Sequence, residues 1–252
     1  MTDITALILA KNEEQNIADC IRTVQFCDEV LVIDDFSSDR TKEIAESLGA
    51  RVLQRNMAGD WGGQQTFAIR SAGCRWVLFV DADERISEKL AEEIRETVAK
   101  GERNAYWIRR ENRFHYNEAT HGILRPDYVN RLFPAEGSYV EGYVHPEIKA
   151  PYPNRKLRNV MYHYTYDNWN QYFNKFNNYT RLAAEKYKKN GKRCSFFRDI
   201  VLRPIWAFIK VYFLNLGFLD GKIGWILSVN HYFYTMNKYV KLYYLYKSDG
   251  KL

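Results

Sequence analysis

The run Trp76-Val77-Leu78-Phe79-Val80-Asp81-Ala82-Asp83-Glu84 constrains this chain more than any other segment. Five apolar residues, aromatic and β-branched among them, spell a buried strand, and three carboxylates follow at its C-terminal end. In an open α/β sheet that end is where ligands bind. Asp81 and Asp83 lie two positions apart, so an extended backbone would aim both the same way. Two convergent carboxylates suit a divalent cation that bridges nucleotide phosphates. A lone Asp-x-Asp is more often a solvated acidic loop, and a second acidic strand end tips the balance here.

That second end is Val30-Leu31-Val32-Ile33-Asp34-Asp35, followed by Phe36-Ser37-Ser38-Asp39-Arg40-Thr41. Ser38 or Asp39 is placed to cap a helix that starts near Thr41. A first strand, Ile4 to Leu9, runs into Ala10-Lys11-Asn12-Glu13-Glu14, with a helix expected over residues 16–23. Residues 51–54 read as a further short strand. Alternating strands and helices through residues 1–85 predict an α/β fold, a mostly parallel sheet with helices on both faces. Three polar or acidic strand ends then converge on one edge, which makes a binding cleft.

A chain of 252 residues can bury a full core, and one domain with an appendage is the natural division. Residues 1–165 are expected to form the catalytic domain and 166–252 a basic, aromatic-rich helical extension. The four cysteines show no metal-type pairing and nothing resembles a secretory signal, so reduced thiols in a cytoplasmic protein are expected. The net charge of +6 hides an asymmetry: residues 151–252 hold 18 Lys/Arg against 5 Asp/Glu, the first 150 hold 19 against 26. The same C-terminal part carries 25 of the 39 aromatic residues.

In that extension Pro204 fits the first turn of a helix running over residues 205–216, with Gly217 as its C-cap. A second long helix is expected over residues 222–245. Charged and amide residues interrupt both, so neither reads as a membrane span. Lys210, Lys238 and Lys241 among Trp, Tyr and Phe suit helices lying in a membrane interface, with rings at headgroup level and Lys on anionic lipid. Packing on the catalytic domain and self-association through these helices compete with that reading. Nucleic acid is not expected as a partner. The chain lacks RNA-recognition aromatics, zinc spacings and a helix-turn-helix, and an acidic cleft repels a polyanion.

Taken together, the blocks from Ala6 to Glu13, Val32 to Asp39 and Phe79 to Glu84 resemble the family 2 inverting glycosyltransferases in order and spacing. The resemblance implies a GT-A fold. It is closer to one branch, the lipopolysaccharide core β-1,4-glucosyltransferase type, through Gly59-Asp60-Trp61-Gly62-Gly63-Gln64, Val144-His145-Pro146-Glu147, Leu202-Arg203-Pro204, the run Leu216 to Gly221, and the run Lys238 to Leu242. Two departures stand out. The branch usually reads Gln-Lys-Asn where this chain has Gln64-Gln65-Thr66, and Pro146 separates His145 from Glu147 where His-Glu is usually adjacent.

The resemblance implies roles for individual residues. Asp35 would contact the uracil of a UDP-sugar, with Ala10, Asn12, Glu13 and Gln64 lining the same pocket. Asp83 would hold Mg²⁺ or Mn²⁺ on the diphosphate, and Asp81 would support the sugar or the metal. Metal neutralises charge on the leaving UDP. Glu147 would take the proton of the acceptor hydroxyl, with Glu141 in reserve. Asp60, Trp61 and His145 are candidates for the acceptor or sugar, His145 alternatively for the metal or the diphosphate, and Arg125 and Arg131, in the loop before Leu132-Phe133, are candidates for an acceptor phosphate. His163 is either a late metal ligand or a packed histidine.

The implied function is transfer of a hexose, in the first instance glucose, from a UDP-sugar to a lipopolysaccharide-core or other glycolipid acceptor. The protein would then sit in the cytoplasm, peripheral on the inner face of the cytoplasmic membrane. Two other classes compete. A haloacid dehalogenase-type phosphatase also uses Asp-x-Asp after a strand, but there the pair follows the first strand. A non-catalytic nucleotide-binding membrane-surface module would keep the pocket without the chemistry.

Overall fold

The computed structural model describes residues 3–114, 120–142, 147–166 and 168–248. It divides into two compact units: unit 1 is Met1–Glu111 with Asp127–His163, and unit 2 is Asn112–Pro126 with Tyr164–Leu252. The sequence reading had one boundary, at 165. The observed division adds residues 112–126 to the C-terminal unit, because Phe114 and Leu124 join a cluster with Tyr172 and Leu227.

Unit 1 is built on β1 (Ile4–Ala10), β2 (Glu29–Asp34), β3 (Arg51–Gln54) and β4 (Trp76–Asp81), which pair in parallel in the order β3-β2-β1-β4. Near-continuous apolar runs suit strands covered on both faces. Side chains alternate accordingly: Ile4, Ala6 and Ile8 enter one core cluster with Leu78 and Val80, while Leu7 enters the other with Val77 and Phe79. The first face is covered by α1 (Ile17–Val24), whose buried Ile17, Cys20, Ile21 and Val24 repeat at helical spacing. It is also covered by α4 (Glu88–Ala99). The second face receives Ala68 and Ile69 of α3 (Trp61–Ser71). The helix α2 (Thr41–Ser47) links β2 to β3, and its first backbone N–H is taken by Asp39, as the sequence predicts.

Beyond β4 the sheet continues β7-β6-β10-β5, with antiparallel β7 (Asp127–Pro134) against β4. The others are β6 (Ala105–Phe114), β10 (Asn154–Tyr166) and β5 (Glu84–Ile86), and the unit boundary cuts β6 and β10. A separate hairpin joins β8 (Tyr139–Glu141) to β9 (Glu147–Lys149). This mixed, curled sheet with helices is the GT-A arrangement that the resemblance implies. The chain leaves β1 toward β2 on one side and returns to β4 on the other, so β1 and β4 flank the topological switch point. Register sets Asp34 beside Ala10 and Asp81 beside Leu9, which brings the acidic ends together there.

One expectation at this end fails. The backbone is not extended through Asp81-Ala82-Asp83: β4 stops at Asp81, a turn holds Ala82 and Asp83, and β5 begins at Glu84. The two aspartates therefore take different partners. Arg131 likewise is no loop residue. It lies in β7 and is buried, just before the residue of β7 that pairs with Leu78 of β4.

Unit 2 contains α5 (Trp169–Lys189), α6 (Arg203–Ile209) and α7 (Gly221–Lys247). Wider π-helical turns at Phe196–Leu202 and Lys210–Leu214 flank α6, so the helix expected over 205–216 is not a uniform one. At its end Leu216, not Gly217, takes the left-handed conformation, at φ 60°. Gly217 is needed for space: a Cβ there would lie 2.8 Å from the Val211 carbonyl oxygen. Of the three lysines assigned to a membrane interface, Lys241 instead ties α7 to α5 through the carbonyl and side chain of Asn177 (3.0 and 2.7 Å) and Thr180 Oγ1 (2.9 Å). Lys238 lies over the Tyr187, Tyr234 and Tyr239 rings. Among the described residues no single helix is long and apolar enough to cross a membrane.

Gly224, inside α7, meets the backbone of Gly217 where a Cβ would stand. Alanine ordinarily favours a helix over glycine by about 1 kcal/mol. Overpacking against backbone opposes this at about 1–3 kcal/mol. Gly224→Ala is expected to lower stability, and chemical denaturation of the two proteins checks the sign.

Candidate functional site

At the end of β2 the two acids part company. Asp34 is fully buried and builds the loop that follows, accepting from the Ser37 N–H at 3.2 Å and from Gln54 Nε2 at 2.9 Å. Asp35 faces Lys11, whose Nζ stands 2.7 Å from Oδ2, while Oδ1 accepts from the Met57 N–H at 3.0 Å. Burial pushes the Asp35 carboxyl up, but the Lys11 ammonium and the Met57 N–H outweigh it, and the group titrates below the usual carboxylate range. Asp35 is therefore an ionised acceptor at neutral pH.

Across from it, the loop after β1 is laced to the loop after β2. Asn12 donates its N–H to Ser37 Oγ at 2.9 Å and accepts from the Ser38 N–H at 2.8 Å. Glu13 donates its N–H to Thr41 Oγ1 at 2.7 Å, and its carboxylate accepts from Asn16 at 3.0 Å. Asn12 and Phe36 both hold positive φ, 57° and 50°. Asparagine tolerates this conformation; for the exposed phenylalanine it costs about 1–2 kcal/mol. Two such residues in one mouth mark a locally over-determined backbone of the kind found at ligand sites.

The third wall is the segment from Arg55 to Trp61. Gln64 is buried, with Oε1 accepting from Arg55 Nη1 at 2.7 Å and Nε2 donating to the Arg55 carbonyl at 2.9 Å. That bidentate grip fixes the segment whose Met57 N–H serves Asp35. Asp60 caps α3 through the Gly63 N–H at 2.9 Å, and Trp61 is exposed on the first turn. The β8–β9 hairpin docks on this helix, Thr66 Oγ1 bridging both the Val140 N–H and its carbonyl. A Cβ on Gly62 would come within 2.5 Å of the Gly142 carbonyl oxygen, so only glycine permits the contact. Glu141 and Glu147 face each other across the hairpin, both exposed, with Lys149 Nζ 2.7 Å from Glu147 and 3.7 Å from Glu141. Glu147 thus lies on the hairpin whose other strand docks on α3.

The acidic turn closes the site. Arg131 donates one terminal nitrogen to both Asp81 and Glu84, and Arg110 reaches Glu84 at 3.3 Å. Glu84 has no exposed surface and also accepts the Asp81 N–H at 2.9 Å. Burial pushes the Glu84 carboxyl up against the pull of Arg131. For Arg131 burial pulls the other way, yet Asp81 and Glu84 keep the guanidinium charged. Asp83 meets a different partner: its Oδ2 stands 3.2 Å from His163 Nε2 on β10, the residue paired across from Glu84.

A carboxylate oxygen beside an imidazole nitrogen is a chemically sound pair for Mg²⁺ or Mn²⁺. Their 3.2 Å separation is near the roughly 3 Å between adjacent ligands of an octahedral ion. Among the described residues no group of three or more His, Cys, Asp or Glu could hold a metal. Phosphate and water would supply the other positions, as is usual for these ions. The residues present fit the group.

Lys11, Asp34, Asp35, Gln64, Asp81, Asp83 and His163 thus all belong to unit 1, as do Ala10, Asn12, Glu13, Asp60, Trp61 and Glu147. Arg125 belongs to unit 2, where it donates to Asn215 Oδ1 at 3.3 Å. His145 lies outside the described residues. Sequence reasoning assigned Arg131 to an acceptor phosphate, whereas it is the buried counter-ion of Asp81 and Glu84, and it did not name Arg110. A charged Arg131 directly before apolar Leu132-Phe133 was the available signal; Arg110 gives none, since it reaches Glu84 only through strand order.

Removing the guanidinium of Arg131 would leave Glu84 buried with one weaker partner. Arg131→Met is expected to destabilise the fold by about 3–5 kcal/mol, and Arg131→Met with Glu84→Leu by much less. Denaturant melts of the single and double variants check this.

Comparison with known proteins follows the same lines. A model of the family described as Glycosyl transferase family 2 matches residues 5–201. An uncharacterized glycosyltransferase of Rickettsia typhi is 30% identical over 96% of this chain and 87% of its own length. The lipopolysaccharide core biosynthesis glycosyltransferase LpsC of Rhizobium meliloti is 26% identical over 95% of this chain and 92% of that protein. Among solved structures, S. aureus TarS 1–349 in complex with UDP superposes with a TM-score of 0.48 at 14% identity, covering 98% of this chain and 92% of that one. The match over most of its length places this chain in glycosyl transferase family 2, and it is a glycosyltransferase.

Proposed function

We propose that this glycosyltransferase moves a hexose, glucose in the first instance, from a UDP-sugar to a lipid-linked saccharide of the lipopolysaccharide-core type. The observation that carries the reading is the Asp83–His163 pair, in the turn after β4 at the switch point, with Asp35 following β2 on the other side of β1. LpsC, similar over 95% of this chain, supports the choice of acceptor class.

In this reading the ionised Asp35, backed by Lys11, accepts from the base, and the Asn12–Glu13 loop closes over the nucleoside. Asp83 and His163 would hold Mg²⁺ or Mn²⁺, which neutralises charge on a departing diphosphate. Asp81, fixed by Arg131, presents a carboxylate of constant charge and orientation to the sugar. Glu147 accepts the proton of the acceptor hydroxyl as the hydroxyl oxygen bonds to the anomeric carbon and the bond to UDP breaks on the opposite face. Trp61 offers a ring face for a pyranose, and Arg125 serves an acceptor phosphate. The acceptor's lipid places the enzyme at the inner face of the cytoplasmic membrane as a peripheral protein, with the basic, aromatic unit 2 supporting that position.

Asp83→Ala is expected to abolish UDP-sugar turnover with the fold intact, and His163→Ala to raise the Mn²⁺ concentration for half-maximal rate by at least about tenfold. Full wild-type turnover in EDTA would refute the metal assignment. Glu147→Gln is expected to keep UDP affinity while lowering the transfer rate by about 10²–10⁴-fold. Unchanged transfer in that variant would move the base elsewhere. A thermal-shift panel of UDP-, GDP- and dTDP-sugars reads donor choice directly.

A further inference from the structure

The outward face of the segment around α6 breaks the rule for a helix on a protein surface. Leu202, Ile205, Trp206, Ile209 and Phe213 recur at helical spacing, and all five are exposed, Trp206 by 58%. The opposite face, with Ile200, Pro204 and Val211, is the buried one. An exposed stripe at this spacing is ordinarily polar. The segment folds back along α7: Phe196 meets Tyr243, Arg203 lies over Tyr239, and Phe208 packs edge-on against Trp225.

The apolar surface continues around the turn that follows. Leu214 and Leu219 are 62% and 57% exposed. Close packing keeps this tip narrow, since Gly217 sits against Val211 and Gly224 against Gly217 with no room for a Cβ at either. The turn is also anchored from within unit 2. Asp220 accepts the N–H groups of Thr120 (3.4 Å) and His121 (2.9 Å) and pairs with His121 Nδ1 at 2.7 Å.

Charge names the partner. Between residues 196 and 226 the acids are Asp199 and Asp220 alone. Asp199 is fully buried against Arg198 and Arg203, and Asp220 is consumed by His121. Two arginines thus share one aspartate, while Lys210 and Lys222 make no ion pair among the described residues. A second copy docked on this face by a two-fold axis would set cation against cation with no acid to meet it. Anionic headgroups meet that charge, and acyl chains meet the stripe.

We propose that residues 202–219 form a wedge that enters the interface of one leaflet of an anionic bilayer by roughly 5–10 Å, with Lys210 and Lys222 at headgroup level. The wedge deepens the peripheral-membrane reading given above and rests on it. Donor binding belongs to unit 1 and is measured separately.

The test is flotation of the full chain with vesicles of phosphatidylethanolamine and phosphatidylglycerol, against phosphatidylcholine vesicles. The chain is expected to float with the anionic vesicles and to release as salt is raised. Trp206→Glu and Leu214→Glu should each lower binding by about tenfold or more, and Lys210→Glu with Lys222→Glu should erase the preference for anionic lipid. All these positions are exposed, so unchanged melting and UDP affinity certify the variants. Wild-type protein that stays with the solvent, or variants that float as well as wild type, would overturn the wedge. So would a lipid-free dimer that Trp206→Glu dissociates while the wild type ignores vesicles. Flotation as expected without UDP binding would leave the wedge standing and remove the donor assignment instead.

Discussion

The guanidinium of Arg131 is what allows three acids to occupy one turn. Asp81, Asp83 and Glu84 follow each other within four residues, and Glu84 is completely removed from water. A lone buried carboxylate would neutralise itself or unfold its surroundings. Arg131 reaches Glu84 and Asp81 together, and Arg110 adds a second positive charge from the next strand. With Glu84 compensated, Arg131 also holds Asp81, and Asp83 meets His163. The Asp83–His163 pair thus sits directly next to a charge balance struck at Glu84.

Much of unit 1 was legible because its signals are local. Strands that read as unbroken apolar runs really are covered on both faces, and acids following them really do lie at one edge. What was not legible came from partners distant in sequence. Arg131 and Glu84 are separated by 47 positions, His163 and Asp83 by 80. Only the order β4-β7-β6-β10-β5 brings them together, and no periodicity reports strand order. The expectation of an extended Asp81-Ala82-Asp83 failed for a related reason: β5 pairs with β10, and the chain must turn after Asp81 to reach it.

In unit 2 the long helix α7 was foreseeable, but α5 was not read from the sequence and neither was the face each helix buries. Lys241 looked like a headgroup anchor from composition, yet three acceptors on α5 hold it. Lys210 looked identical and remains outside. Lys241 lies on the side of α7 that meets α5, while Lys210 lies in the π-helical turn after α6, a difference of packing rather than hydropathy. Gly217 illustrates the same limit: sequence rules place glycine where φ is positive, but this one serves close approach while its neighbour Leu216 bears the left-handed turn.

Phe36 carries a consequence for how sequences of this kind should vary. Its backbone sits where a side chain is penalised and glycine is not. Only glycine, and in part asparagine or aspartate, relaxes the chain there; other small residues keep the Cβ and its penalty. A ring that persists there through many generations would be held by selection acting on the mouth of the cleft, and comparing near relatives at this single site would separate that pressure from the demands of folding.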